Sequence, residues 1–126
     1  MDRIQIAKSY IHHLAQGDLP RLLNLFAQNA TVISPVYGSQ NFNDFYTQLF
    51  ADTNASELKI KGIFEDSETG NIALHFDYSW TLKNDRQVNF EVVDIIEFDA
   101  KDQISKLTII YDTIQSRELV KTLDAL

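Results

Sequence analysis

The chain has 126 residues, of which 44% are hydrophobic and 23% charged, the balance of one ordinary globular domain spanning 1–126 with enough core to fold without staples. Eighteen acids against 11 bases leave a formal net charge of −7, which repels a phosphate backbone and argues against a nucleic-acid partner, and the lack of cysteine excludes disulfides, thiolate zinc sites, iron–sulfur clusters and a thiol nucleophile. No apolar run approaches the ~18 residues of a membrane span, and the polar start Met1-Asp2-Arg3 lacks the pattern of a signal peptide, so a soluble cytoplasmic protein without membrane contact is expected.

The N-terminal part reads as helices. Asp2 with Gln5 forms a capping-box start, and Ile4, Ala7, Ile11 and Leu14 keep helical spacing, with Tyr10 beside them, until Gly17. Asp18 restarts the helix with Pro20 in its first turn, and Leu19, Leu22, Leu23 and Phe26 make one apolar face. Thr31 to Ser34 reads as a short strand ended by Pro35. Gly38-Ser39 opens a third helix whose apolar positions are Phe42, Phe45, Tyr46, Leu49 and Phe50.

From about Glu57 the period changes to two. Leu58, Ile60, Gly62 and Phe64 alternate with polar residues, and Glu68 to Asn71 turns the chain into the long row Ile72, Leu74, Phe76, Tyr78, Trp80, Leu82. Asn84-Asp85 turns it again into a strand from Gln87 to Asp99, followed by another from Gln103 to Ile114. Ser116 to Asp124 reads as a short helix capped by Ser116. Helices first and antiparallel strands second is the order of an α+β domain. Strands this long must coil, and a coiled sheet with helices across its concave side encloses a cone.

One residue interrupts the pattern. Val88, Phe90, Val92, Asp94, Ile96 and Phe98 share one strand face, so Asp94 stands in an apolar row. An ionised carboxylate there loses its hydration, at a cost of several kcal/mol unless it is paired. A raised pKa costs less and leaves a neutral acid that donates a hydrogen bond, which suits a developing oxyanion. A bulge that re-aims Asp94 to solvent, or a cap on a backbone amide, is the structural alternative. His75 and Asp77 share the opposite face of the preceding strand with Ala73, Ser79 and Thr81. No metal site is expected there, nor at His12 and His13, which point about a hundred degrees apart on a helix.

Tyr10 to Leu19, Leu25 to Val32, Gly38-Ser39 before Phe45-Tyr46, and Asp94 to Phe98 before Lys106 to Tyr111 together resemble NTF2-like proteins, among them ketosteroid isomerases and SnoaL-like polyketide cyclases. The resemblance runs over nearly the whole chain and implies a cystatin-like fold, a curved antiparallel sheet forming a cone closed by N-terminal helices. In the isomerases Tyr10 would correspond to the oxyanion-hole tyrosine and Asp94 to the protonated aspartate. The position of their general base, an aspartate before the proline that ends the first strand, is Ser34 here. Serine has no useful basicity without a helper, so Asp112 or a water held by Ser34 would have to substitute.

The resemblance further implies a cavity walled by Leu14, Phe26, Phe45, Tyr46, Leu107 and Tyr111, with Ser34 available to orient a ligand. The expected guest is a small, flat, apolar molecule with a carbonyl or phenol oxygen within reach of Tyr10 and Asp94, and no cofactor is implied. Val93 and Ile95 point away from the cavity, joined by Ile110 if its strand is in phase. Apolar residues on both faces of a strand call for cover on both, and a homodimer packed through the outer sheet face, rimmed by Glu91 and Glu97, would supply it. Three functions follow: an isomerase- or cyclase-like enzyme, a non-catalytic ligand-binding module, or a protein-interaction domain.

Overall fold

A computed structural model describes residues 2–124. The chain runs α1 (Arg3–Gln16), α2 (Leu19–Leu23), β1 (Phe26–Ser34), β2 (Gly38–Asn41), α3 (Phe42–Ala51), β3 (Thr53–Glu65), β4 (Ile72–Leu82), β5 (Gln87–Phe98), β6 (Ile104–Ile110) and α4 (Ile114–Asp124). The six strands form one curved, unclosed sheet in the order β2-β1-β6-β5-β4-β3. The α+β architecture is therefore as expected. One pairing departs from the antiparallel rule: β1 lies parallel to β6, with Val32 opposite Leu107. The chain reaches that position only after the β3–β4–β5 meander, so the last strand closes against the first.

The helix boundaries follow capping chemistry. Asp2 accepts from the Gln5 amide at 2.8 Å, and Gln5 returns a bond to the Asp2 amide at 3.4 Å. Gly17 ends α1 in the left-handed region at φ 68°, which costs glycine nothing. Ile6, Ala7, Tyr10, Ile11 and Leu14 form the buried face of α1, whereas Ile4 is 37% exposed. α2 is shorter than its apolar spacing suggests. It stops at Leu23, and Phe26 begins β1 instead, because the Leu25 carbonyl accepts from the Ile104 amide and draws the chain into the sheet.

Two further corrections concern the strands. Gly38 to Asn41 is not the opening of a helix but the edge strand β2, antiparallel to β1; α3 begins behind Asn41, whose side chain accepts from the Asn43 amide at 2.9 Å. In β3 the register shifts between Ile60 and Gly62, so that Ile60 pairs with Phe76 and Gly62 with His75. The extra residue reverses the faces beyond it. Ile63 now opposes the inner Leu74, and Phe64 turns outward, 61% exposed. Its ring lies over Gly62, where a Cβ would come within 2.7 Å of the Phe64 ring.

The core fills the concave side. β4 alternates without a break, Ile72, Leu74, Phe76, Tyr78, Trp80 and Leu82 all being buried, and β5 places Val88, Val92, Asp94 and Ile96 beside them. α1 crosses this face over β3 and β4, and α3 lies over β1 and β2. β6 is shorter than its sequence suggests and ends at Ile110. The chain then leaves the sheet through Tyr111, Asp112 and Thr113, and α4 starts at Ile114, two residues before the expected cap; Ser116 is buried inside the helix. No helix among the described residues is long and apolar enough to cross a membrane.

Candidate functional site

β5 carries Asp94 into the interior as its alternation requires. The residue pairs with Leu74 on one side and Ile109 on the other and is 1% exposed. Neither a bulge nor a turn diverts it. Burial drives its carboxyl well above the usual carboxylate range, and hydrogen bonding with Tyr10 opposes that shift without overcoming it. The shift favours the neutral acid, and Asp94 Oδ1 is buried with no partner among the described residues.

Tyr10 stands across from it on α1. Its hydroxyl lies 2.7 Å from that of Tyr46 on α3, with the rings edge to face at 6.1 Å. Burial holds both phenols far above their ordinary pKa, so both keep their protons. Either hydroxyl of the Tyr10–Tyr46 pair can be the donor.

Asp94 borders a cavity of about 40 Å³. By the rule that a water needs at least about 10–15 Å³, this holds only a few waters. Leu14, Phe45, Phe76, Trp80 and Val92 supply apolar wall, and Tyr78, Phe90 and Tyr111 form a stacked strip across β4, β5 and the end of β6, with ring centroids 5.2 and 4.5 Å apart. Burial raises the Tyr111 hydroxyl to about 12. Ser34 and Tyr37 complete the wall. The Ser34 hydroxyl oxygen accepts from the amides of Val36 and Tyr37 at 3.3 and 3.4 Å, which holds the β1–β2 turn, and the Tyr37 hydroxyl donates to Asp52 at 2.8 Å.

Of the residues picked out in the sequence, Tyr10, Leu14, Ser34, Phe45, Asp94 and Tyr111 border this cavity. Four lie elsewhere. Phe26 is buried at the start of β1, stacked on Phe42 at 5.2 Å; Leu107 is fully buried in β6, beside β1; and Tyr46 stands behind Tyr10 rather than in the wall. Asp112 is exposed and is not among the residues that line this cavity; its carboxylate accepts from the Ile114 amide at 3.2 Å at the start of α4. Among the aromatic lining residues, the sequence reading missed Tyr37, Phe76, Tyr78, Trp80 and Phe90. The alternating row of β4 and the Asp94 row of β5 held the signal for four of these, and nothing in the pattern marked Tyr37.

Outside the cavity, the His75 Nε2 lies 2.6 Å from Glu91 Oε2, and Lys61 Nζ reaches the same oxygen at 2.9 Å. Among the described residues no group of three potential ligands could hold a metal ion.

A coiled sheet around an apolar cavity with one buried acid defines an α+β cone protein of the NTF2-like class. The family model of the SnoaL-like domain matches residues 7–107, and the chain belongs to that family. Among solved structures it resembles an NTF2-like protein of unknown function from Burkholderia pseudomallei K96243, with TM-score 0.80, 17% identity, and 94% of this chain and 97% of that one covered. It also resembles TerC, co-crystallized with polyporic acid, at TM-score 0.78, 12% identity, and 94% and 98% coverage. A third is SalBIII, an epoxide hydrolase/cyclase-like enzyme of pyran ring formation in the polyether salinomycin, at TM-score 0.77, 15% identity, and 87% and 90% coverage. At these identities the likeness is one of fold. No curated protein matches the chain by sequence.

A raised carboxyl pKa has a defined effect on stability. The unfolded chain ionises Asp94 near ~3.9, while the fold keeps it neutral, so stability is lost as pH rises from that value through the folded pKa. Asp94→Asn removes the penalty. In urea titrations the variant gains on the wild type between pH 4 and pH 8; a variant that instead loses ground at pH 8 would show that the folded carboxyl is ionised.

Proposed function

We propose that the protein binds a small, flat, largely apolar molecule bearing a carbonyl or phenol oxygen, and that Asp94 donates its proton to that oxygen. Asp94, a lining residue of an aromatic cavity whose Oδ1 has no partner among the described residues, carries this reading. A buried polar atom without a partner costs ~1–3 kcal/mol, and a guest oxygen placed against it recovers much of that. Tyr10 and Tyr46 stand beside Asp94 as a hydrogen-bonded pair.

Binding without proton transfer accounts for the residues better than an isomerase does. Among the described cavity residues Asp94 is the sole carboxyl, and no histidine or lysine joins it. Ser34 occupies the position of the family's base and holds a turn. An enolate chemistry stabilised by Asp94 would therefore need its base from the guest or from water.

A second surface belongs to the same proposal. Ile95 sits on the outer face between Ala73 and Thr108, next to the pair Val93 and Ile110. Ile110 is 53% and Phe64 61% exposed, more apolar area than a solvated sheet needs. Two copies packed through this face would cover it, with Glu91 and Glu97 near the rim.

Fluorescence titration with 2-naphthol tests the cavity. Asp94→Leu, which keeps the bulk and removes the donor, is expected to weaken binding by about tenfold, the worth of one buried hydrogen bond; equal affinity in wild type and variant would exclude Asp94 as the contact. For the outer face, sedimentation of the wild type should give a dimer and Ile95→Glu a monomer. An identical mass for both would reject that interface.

A further inference from the structure

We infer that Leu14 is the end wall of the Asp94 cavity and sets the length of the guest, and that the surface groove behind it is a second compartment suited to a polar end; the inference rests on the binding reading above. The sheet register shows how the cavity runs. Asp94 pairs with Leu74 on β4, whereas Tyr78 pairs with Phe90 and Trp80 with Val88. At about 3.3 Å per residue, Tyr78 stands ~13 Å and Trp80 ~20 Å further along the sheet than Asp94. α1 runs the same way. Tyr10 is at the Asp94 end, and Leu14 lies one turn on, about 6 Å along the helix axis. Asp94 and Tyr10 thus stand at one end of the cavity, and Leu14, Tyr78 and Trp80 at the other.

Leu14 is 3% exposed, and it borders two spaces at once. On its inner side is the aromatic cavity. On its outer side a groove of about 220 Å³, between the end of α1 and β3, is lined by Gln16, Phe50, Thr53, Asn54 and Ser56. The rest of the partition is bonded across. Trp80 Nε1 donates to Thr53 Oγ1 at 2.8 Å, and the Tyr78 hydroxyl lies 2.9 Å from Ser56 Oγ. Each of these bonds joins a cavity residue to a groove residue. The aliphatic side chain of Leu14 completes the wall between them.

The two compartments differ in chemistry. Within the cavity, Tyr78 and Trp80 spend their polar atoms on β3, and Tyr37 spends its hydroxyl on Asp52. The groove instead carries the hydroxyls of Thr53 and Ser56 and the amides of Gln16 and Asn54. A guest confined by Leu14 is therefore short and apolar beyond its one oxygen, whereas a guest that reached past it would end in a hydroxyl or amide. The half-buried members of the wall, Tyr37, Phe90, Ile109 and Tyr111, stand on the side of β5, β6 and the β1–β2 turn, so the Leu14 end is the closed one. An apolar wall that rejects one added methylene discriminates by about 10- to 200-fold.

Two probes read the partition by fluorescence titration: 2-naphthol, and 6-(2-hydroxyethyl)-2-naphthol, which adds a polar arm opposite the phenol. The wild type should prefer 2-naphthol by at least about tenfold. Leu14→Ala removes everything beyond Cβ and joins the two spaces, so it should bring the longer probe to the affinity of 2-naphthol or above it. Leu49→Ala deletes the same atoms from a wall residue that does not border the groove, and it should keep the wild-type preference. Leu14→Val should shift the preference in the same direction by less, and it serves if the alanine variant does not fold. A wild type without preference, an unshifted preference in the Leu14 variants, or an equal shift in Leu49→Ala would overturn the partition while 2-naphthol binding left the pocket intact. If the wild type takes up no 2-naphthol, the binding reading fails and the partition falls with it.

Discussion

The structure turns on the burial of one carboxyl group. Asp94 lies in the middle of β5, where its neighbours on the same face are Val92 and Ile96, and no basic group among the described residues pairs with it. Ionising it there would cost several kcal/mol in lost hydration. A raised carboxyl pKa lessens that cost by favouring the neutral form, a donor rather than an anion. Two tyrosines from separate helices stand beside it, Tyr46 and Tyr10 meeting at 2.7 Å, and Asp94 Oδ1 is without a partner among the described residues.

The cone supplies the surroundings. Strands of 11 to 13 residues in β3, β4 and β5 coil strongly, and the helices across the concave side turn the curvature into an enclosure. Aromatic side chains then fill most of it. The same rings that stabilise the core leave only a small cavity.

Much of this was legible in the sequence because it depends on local rules. The capping box at Asp2, the stop at Gly17 and the two-residue period of β4 and β5 each encode their own geometry, and the period alone places Asp94 inside. What escaped depends on partners distant in the chain. Phe26 has helical spacing but is drawn into β1 by pairing with β6, and the parallel β1–β6 contact has no local signature. Gly38 to Asn41 forms a strand because β1 offers an edge. The added residue in β3 inverts Phe64, and Asp112 serves a helix start instead of the cavity. Membership in the SnoaL-like family was visible for the opposite reason, since it rests on spacings that extend over most of the chain.

The central claim concerns the protonation state of a single group, and carbon-detected NMR observes it directly. With the Asp94 side-chain carboxyl carbon followed from pH 3 to pH 8, a neutral acid keeps the chemical shift of a protonated carboxyl through pH 7 and moves on addition of 2-naphthol. A carbon that titrates near ~3.9, like an aspartate in water, would contradict the account at its root.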